Sequence, residues 1–308
     1  MINDTPKLKE FFLSLGYNEM DYSNIISSCC VKNHRAETLI KKVGEFHNLF
    51  LTFGYKEEDI IMMGRKMPTI YIISVEKLKQ KIEYMISLGY SNLDIIRITK
   101  ALPQMYGLPI EYIEQKINDF KNLGYEKEDI IKMSKKAPVI YSYSIDNIKK
   151  KEDDLISLGY TKEEVTKMSV KTPQLYGHSI DSIKQKIEDI ESLGYTREEV
   201  LKMTKILPAL YTYSIENIKQ KVDFYDSVGL RKLTTEKASC LMQSVELSYA
   251  RYMFYKEKNI EITMDNYIRL FMSNEQFEKQ YGVTKNMLLK KYNYEEYLEQ
   301  KNKKRKVL

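Results

Sequence analysis

The fold class this sequence predicts is all-α, an α-solenoid of 35-residue two-helix repeats, and three observations predict it. Gly54, Gly89, Gly124, Gly159, Gly194 and Gly229 stand 35 residues apart. Pro68, Pro103, Pro138, Pro173 and Pro208 keep the same step, each fourteen residues after its glycine. Between these marks the apolar residues recur at intervals of three and four, the period of a helix face. A fixed period of this length is the signature of stacked repeats, because one helix pair cannot bury its apolar face alone.

Helix A of each unit follows the Leu-Gly-Tyr step. In Thr196 to Leu207 a capping Thr precedes acids in the first turn, and Val200, Met203 and Leu207 form the apolar edge. Proline ends this helix, since it lacks an N–H and disfavours helical geometry in the residue before it. Helix B, Ser214 to Gly229, starts on a capping Ser with an acid in its first turn. It carries Ile215, Ile218, Val222, Tyr225 and Val228 on one face and closes on a glycine suited to a left-handed cap. The two helices span about eleven and fourteen residues.

The ends are degenerate. Gly16 to Tyr55 reads as an early copy with Asn33 in place of proline, and Ser244 to Ile260 follows helix B with Asn259 in place of glycine. Met264 to Tyr292 reads as two or three helices outside the repeat. The expected organisation is a degenerate N-terminal capping repeat over 1–53, five regular repeats over 54–228, a degenerate repeat and helical cap over 229–298, and a basic tail over 299–308.

Charge and composition narrow the classes. The net charge is +6, and the terminal "KNKKRKVL" alone carries Lys301, Lys303, Lys304, Arg305 and Lys306, so the rest is close to neutral. A nucleic-acid footprint then requires charge segregated onto one surface. Three cysteines, Cys29 and Cys30 among them, build no disulfide framework and point to a reducing, intracellular, most simply cytoplasmic setting. No signal-peptide core, transit character or membrane-length apolar run is visible. The "KKRKV" run resembles a nuclear-localisation signal, and a flexible arm adding phosphate affinity is the alternative reading.

The order of Pro, apolar residues three, ten and seventeen positions later, then Leu-Gly-aromatic, resembles the motif of the mitochondrial transcription termination factor (mTERF) family. It reads Pro68/Tyr71/Leu78/Met85, Pro103/Tyr106/Ile113/Phe120, Pro138/Tyr141/Ile148/Leu155, Pro173/Tyr176/Ile183/Ile190 and Pro208/Tyr211/Ile218/Tyr225. The resemblance implies a right-handed superhelix that binds double-stranded DNA or RNA along a basic groove, in transcription or other steps of gene expression. All five copies here carry tyrosine where the family usually has leucine, and no organelle presequence is visible, which points to a bacterial or other non-organellar relative.

Two basic sets are candidate nucleic-acid contacts. Lys81, Lys116, Lys151, Lys186 and Lys221 share one helix B position inside the apolar arc, an odd place for lysine. Either they line a groove and meet phosphates, or their stems cover apolar surface and their ammoniums pair with helix A acids of a neighbour. If five lysines each neutralise one phosphate, log K against log salt falls with a slope of about −4 to −5. Arg97, Lys132, Lys167 and Lys202, with Lys100, Lys135 and Lys205 one turn on, lie near helix A C-termini, where they also offset the helix dipole. Lys79, Lys149, Lys184 and Lys219 read as solvated. Tyr71, Tyr106, Tyr141, Tyr176 and Tyr211 read as core with their hydroxyls reaching the bend or solvent, base stacking being the alternative. Met133, Met168 and Met203 read as core.

No catalytic or metal site is expected. His34, His47 and His178 share no ligand spacing with the cysteines, and pairs such as Glu163 and Glu164 sit where helix capping explains them. No cofactor is expected, and the chain is read as a monomeric, non-enzymatic binder of duplex DNA or RNA. The alternative is a protein-interaction scaffold, favoured by the near-neutral body and the scarcity of arginine.

Overall fold

A computed structural model describes residues 6–28, 31 and 33–299. Cys29, Cys30 and the run from Lys301 to Leu308 lie outside the described residues. Among the described residues there are helices and no strand, as the sequence predicts. The chain divides into two compact units, Met1–Glu152 and Asp153–Leu308.

In the first unit α1 (Pro6–Ser14), α2 (Glu19–Ser27) and α3 (Ala36–Phe53) open the array. Regular pairs follow: α4 (Glu57–Lys66) with α5 (Val75–Leu88), α6 (Asn92–Ala101) with α7 (Ile110–Asn122), then α8 (Lys127–Lys136) and the start of α9 (Ile145–Ser157). The A helices α2, α4, α6 and α8 pack in succession, and α3 packs on α5. In the second unit α10 (Lys162–Lys171), α12 (Arg197–Ile206) and α14 (Arg231–Glu236) form one such row. Beside it stand α11 (Ile180–Glu191), α13 (Ile215–Ser227) and α15 (Val245–Glu257), followed by α16 (Asn274–Tyr281) and α17 (Lys285–Lys291).

The proline does more than stop helix A. Each opens a short 3-10 turn, Pro68–Ile72, Pro103–Tyr106, Pro138–Ser142, Pro173–Gly177 and Pro208–Thr212, in which its missing N–H costs nothing. The residue before it leaves helical geometry, as Leu207 does at φ −127°, ψ 81°. That turn carries the repeat tyrosine inward: Tyr71, Tyr106, Tyr141, Tyr176 and Tyr211 are all buried. Ser74, Ser144, Ser179 and Ser214 cap helix B by accepting the N–H three residues on. In the degenerate copy Asn259 adopts φ 56°, the left-handed value the glycines supply elsewhere.

The C-terminal segment, expected as two or three helices, holds α16 and α17 after a 3-10 turn. Tyr267–Phe271 is a 3-10 turn and Ser273 caps α16, so the bend-then-helix pattern persists without its proline. The sequence signal that was missed is the Ser cap followed by Phe277, buried at the position of the first core residue of helix B.

Candidate nucleic-acid interface

The five-lysine column of helix B is where expectation and structure part. Lys81, Lys116 and Lys221 are only 4%, 6% and 6% exposed. Their ammoniums donate forward to carbonyls of the next bend: Lys81 to Leu108 O, Lys116 to Tyr143 O at 2.7 Å, and Lys221 to Leu241 O at 2.6 Å. Burial pushes the Lys81 ammonium down to about 8, and Lys221 shifts the same way for the same cause. For these three, the picture of cations standing free in a groove is corrected. A 3-10 turn between two helices leaves carbonyls without intrahelical partners, and each lysine reaches across the repeat junction to satisfy one. Lys151 and Lys186 are half-buried.

The degenerate copies keep the bond with other residues. Arg251 stands at the lysine position of α15, is 1% exposed, and donates to Leu270 O at 2.8 Å and Asn274 Oδ1 at 2.9 Å. In α3 the lysine position holds Phe46, and Lys42, one turn earlier, reaches Ile72 O at 3.5 Å. That Arg251 is in register was legible in the sequence; the carbonyl it meets was not.

Pairing with a neighbour's helix A acid, the alternative reading for the helix B column, belongs instead to the second lysine of helix A. Lys100 meets Asp59 at 2.5 Å, Lys135 meets Asp94 at 2.7 Å, and Lys205 meets Glu164 at 2.9 Å, each bridging to the preceding A helix. Glu164 is held below its ordinary value by the Thr161 backbone N–H and by Lys205. Lys66 donates to Lys100 O at 3.0 Å and Lys171 to Lys205 O at 3.2 Å, closing the same junctions from the other side.

Arg97, Lys132, Lys167 and Lys202 are the exposed members of the predicted sites. Arg97 and Lys132 keep 61% of their side chains in solvent, each beside one acid of its own helix, Asp94 at 3.0 Å and Asp129 at 3.1 Å. In the first unit Arg97 and Lys132 occupy the same position on the neighbouring helices α6 and α8; in the second, Lys167 and Lys202 do so on α10 and α12. Each unit therefore steps an exposed cation from one A helix to the next.

The tyrosines offer no free ring for a base. Tyr106 Oη and Thr99 Oγ1 lie 2.8 and 2.6 Å from Tyr55 Oη, and Thr99 Oγ1 donates to Ile95 O at 2.7 Å. Tyr141, Tyr90 and Ser134 repeat this arrangement, as do Tyr211, Tyr160 and Thr204. The expected place for these hydroxyls was the bend or solvent; they meet instead the Leu-Gly-Tyr hydroxyl of the preceding repeat, buried beside a hydroxyl of helix A. In the first junction Gly64 replaces the hydroxyl residue, and Tyr17 Oη bonds Tyr71 Oη and lies 3.2 Å from His47 Nε2. In the central copy Glu152, 1% exposed, stands where Ile82 and Ile117 stand in their helices, and Tyr125 donates to its Oε1 at 2.7 Å.

Among the described residues no group of three or more His, Cys, Asp or Glu is arranged to hold a metal ion, and no helix is long and apolar enough to cross a membrane. A family model described as mTERF matches residues 4–157, 88–192 and 111–278. No curated protein matches the chain.

Proposed function

The chain belongs to the mTERF family of nucleic-acid-binding helical-repeat proteins, and we propose that it grips duplex DNA or RNA by phosphate contacts from repeated basic residues, without catalysis, acting in transcription or RNA handling by occupancy. The observation that carries this is the exposed cation repeated on successive A helices, Arg97 and Lys132 in one unit and Lys167 and Lys202 in the other. Lys100, Lys135 and Lys205, each about a third exposed, stand one turn away and are held by acids. Lys81, Lys116 and Lys221 serve the interface by fixing the repeat junctions, and the half-buried Lys151 and Lys186 complete the column.

Four exposed phosphate contacts give a log K against log salt slope of about −3 to −4 on duplex DNA. Fluorescence anisotropy with duplex DNA, duplex RNA and single strands across a salt series measures it. Replacing Arg97, Lys132, Lys167 and Lys202 by alanine should flatten the slope by about 3 to 4. Binding weaker than about millimolar to all three ligand types at low salt overturns the proposal. A protein partner is the second reading, favoured by the acids beside Arg97 and Lys132; it predicts that nucleic acid fails in this titration.

A further inference from the structure

One feature of the first unit, the space beside the Lys81 clamp, takes no part in the proposed interface. A cavity of about 690 Å³ opens between the start of α5 and the bend that precedes α7, lined among others by Ser74, Lys77, Gln80, Lys81, Tyr106 and Glu111. Lys81 thus lines a space large enough for a small molecule while the residue as a whole is withdrawn from bulk water. We propose that Lys81 is a covalent acylation site, a reactive amine that takes an acyl group from a small activated donor, an acyl phosphate or an acyl thioester.

The chemistry needs a neutral amine with room beside it for an electrophile, and the cavity supplies the room. Burial disfavours the ammonium and brings its value to about 8, although Glu111 across the cavity pulls the other way. Lys77 on the same helix adds a second positive charge at the wall, and Tyr106 bonds to Tyr55 and stays neutral. After the ammonium gives its proton to solvent, the amine lone pair attacks the acyl carbonyl. The tetrahedral adduct collapses by breaking the bond to phosphate oxygen or thiolate sulfur, which leaves with the electron pair. The nitrogen then releases one further proton to solvent, leaving an amide. No electrons are gained or lost overall. The product keeps one N–H to offer Leu108 O but loses the charge, so acylation weakens the bond that ties α5 to the next bend.

At pH 8 about half of such an amine is neutral, about 150-fold more than for an exposed lysine, and its lower basicity takes back part of that gain. Net, Lys81 should react several-fold faster than an exposed lysine.

The test uses the full chain in its native state, limiting acetyl phosphate at pH 8, and mass spectrometry of chymotryptic peptides over time. Acetylation of Lys81 ahead of Lys79, its exposed neighbour, supports the proposal. A rate equal to or below that of Lys79, or label reaching Lys81 only in urea, overturns it. Lys81→Arg gives a folded control, since Arg251 makes the same bond to Leu270 O in its own copy; it should lose this label alone. Hydrogen exchange at 106–110 should rise in the acetylated protein and stay at the wild-type level in Lys81→Arg, and unchanged exchange after acetylation overturns the claim that the mark loosens the joint. Neither readout depends on nucleic acid.

Discussion

The hydroxyl chain of Tyr106, Tyr55 and Thr99 has a direction, and the direction makes a prediction. Thr99 Oγ1 directs its one proton to Ile95 O at 2.7 Å, so it accepts from Tyr55, and Tyr55 in turn accepts from Tyr106. Tyr106→Phe removes the head of the chain and leaves every other proton placed, at a cost of about 0.5–1.5 kcal/mol. Thr99→Val removes the tail: Tyr55 must turn toward Tyr106, and one buried donor is left over, which costs about 1–3 kcal/mol. Tyr55→Phe cuts the middle, orphaning the Tyr106 donor and taking away the proton Thr99 accepts, and should cost at least as much as Thr99→Val. The three changes hardly alter shape, so cavity terms are small. Because repeat arrays need not unfold in one step, native-state hydrogen exchange across α6 is the measure, with urea unfolding beside it. Equal losses for all three variants, or Tyr106→Phe as the most damaging, would refute the directional chain. The same order is expected for Tyr211→Phe, Thr204→Val and Tyr160→Phe in the second unit, where Thr204 donates to Val200 O at 2.8 Å.

Further outcomes follow from the same junctions. Lys116→Met should lose about 1–3 kcal/mol by stranding the Tyr143 carbonyl, while Lys116→Arg stays near wild type; urea unfolding compares them. Tyr17 and Tyr55 are raised by burial to about 12, so the stability they confer is complete below pH 10 and lost between about 10 and 12. Tyrosinate absorbance should rise together with loss of helical circular dichroism. Burial lowers His47 to about 4, so its share is present above about pH 6.5 and fades as pH falls toward 4, a loss of roughly 3 kcal/mol. Unfolding midpoints at pH 7 and pH 5 should differ less in His47→Gln than in wild type. Gly64→Ala should be strongly destabilising in thermal melts, because its methyl would occupy the place of Tyr71 Oη, with Tyr17 Oη at 3.1 Å.

The fold was legible because its determinants are local and repeated. Proline ends a helix, a serine caps the next, and a left-handed glycine turns the chain, and each rule is visible within one 35-residue window. The site was legible only as far as residue type. Arg97 and Lys132 could be placed on an exposed helix edge from periodicity. Lys81, Lys116 and Lys221 could only be flagged as lysines inside an apolar arc, because their acceptors are carbonyls about 20 to 27 residues downstream, and a backbone carbonyl leaves no mark in a sequence. The tyrosine pairs failed for a related reason. Tyr55 and Tyr106 each have an explanation alone, one as the aromatic of Leu-Gly-Tyr and the other as a motif position, and only packing shows that their hydroxyls meet.

The degenerate copies show which feature the array holds fixed. Where lysine is lost from the clamp position, Lys42 reaches the bend from one turn earlier or Arg251 takes the bond over. Where the hydroxyl of helix A is lost at Gly64, the tyrosine pair gains His47 instead. Each replacement differs in residue and in sequence position, yet satisfies the same kind of buried polar group between one helix and the next bend. A stacked array buries such a group at every junction, and leaving one unpaired costs about 1–3 kcal/mol. What these copies share is a donor that reaches the buried acceptor, and more than one side chain can supply it. The same logic accommodates a tyrosine at the motif position of all five copies. Once the preceding repeat supplies a hydroxyl partner, tyrosine buries as fully as an aliphatic residue, and Tyr71 has no exposed surface.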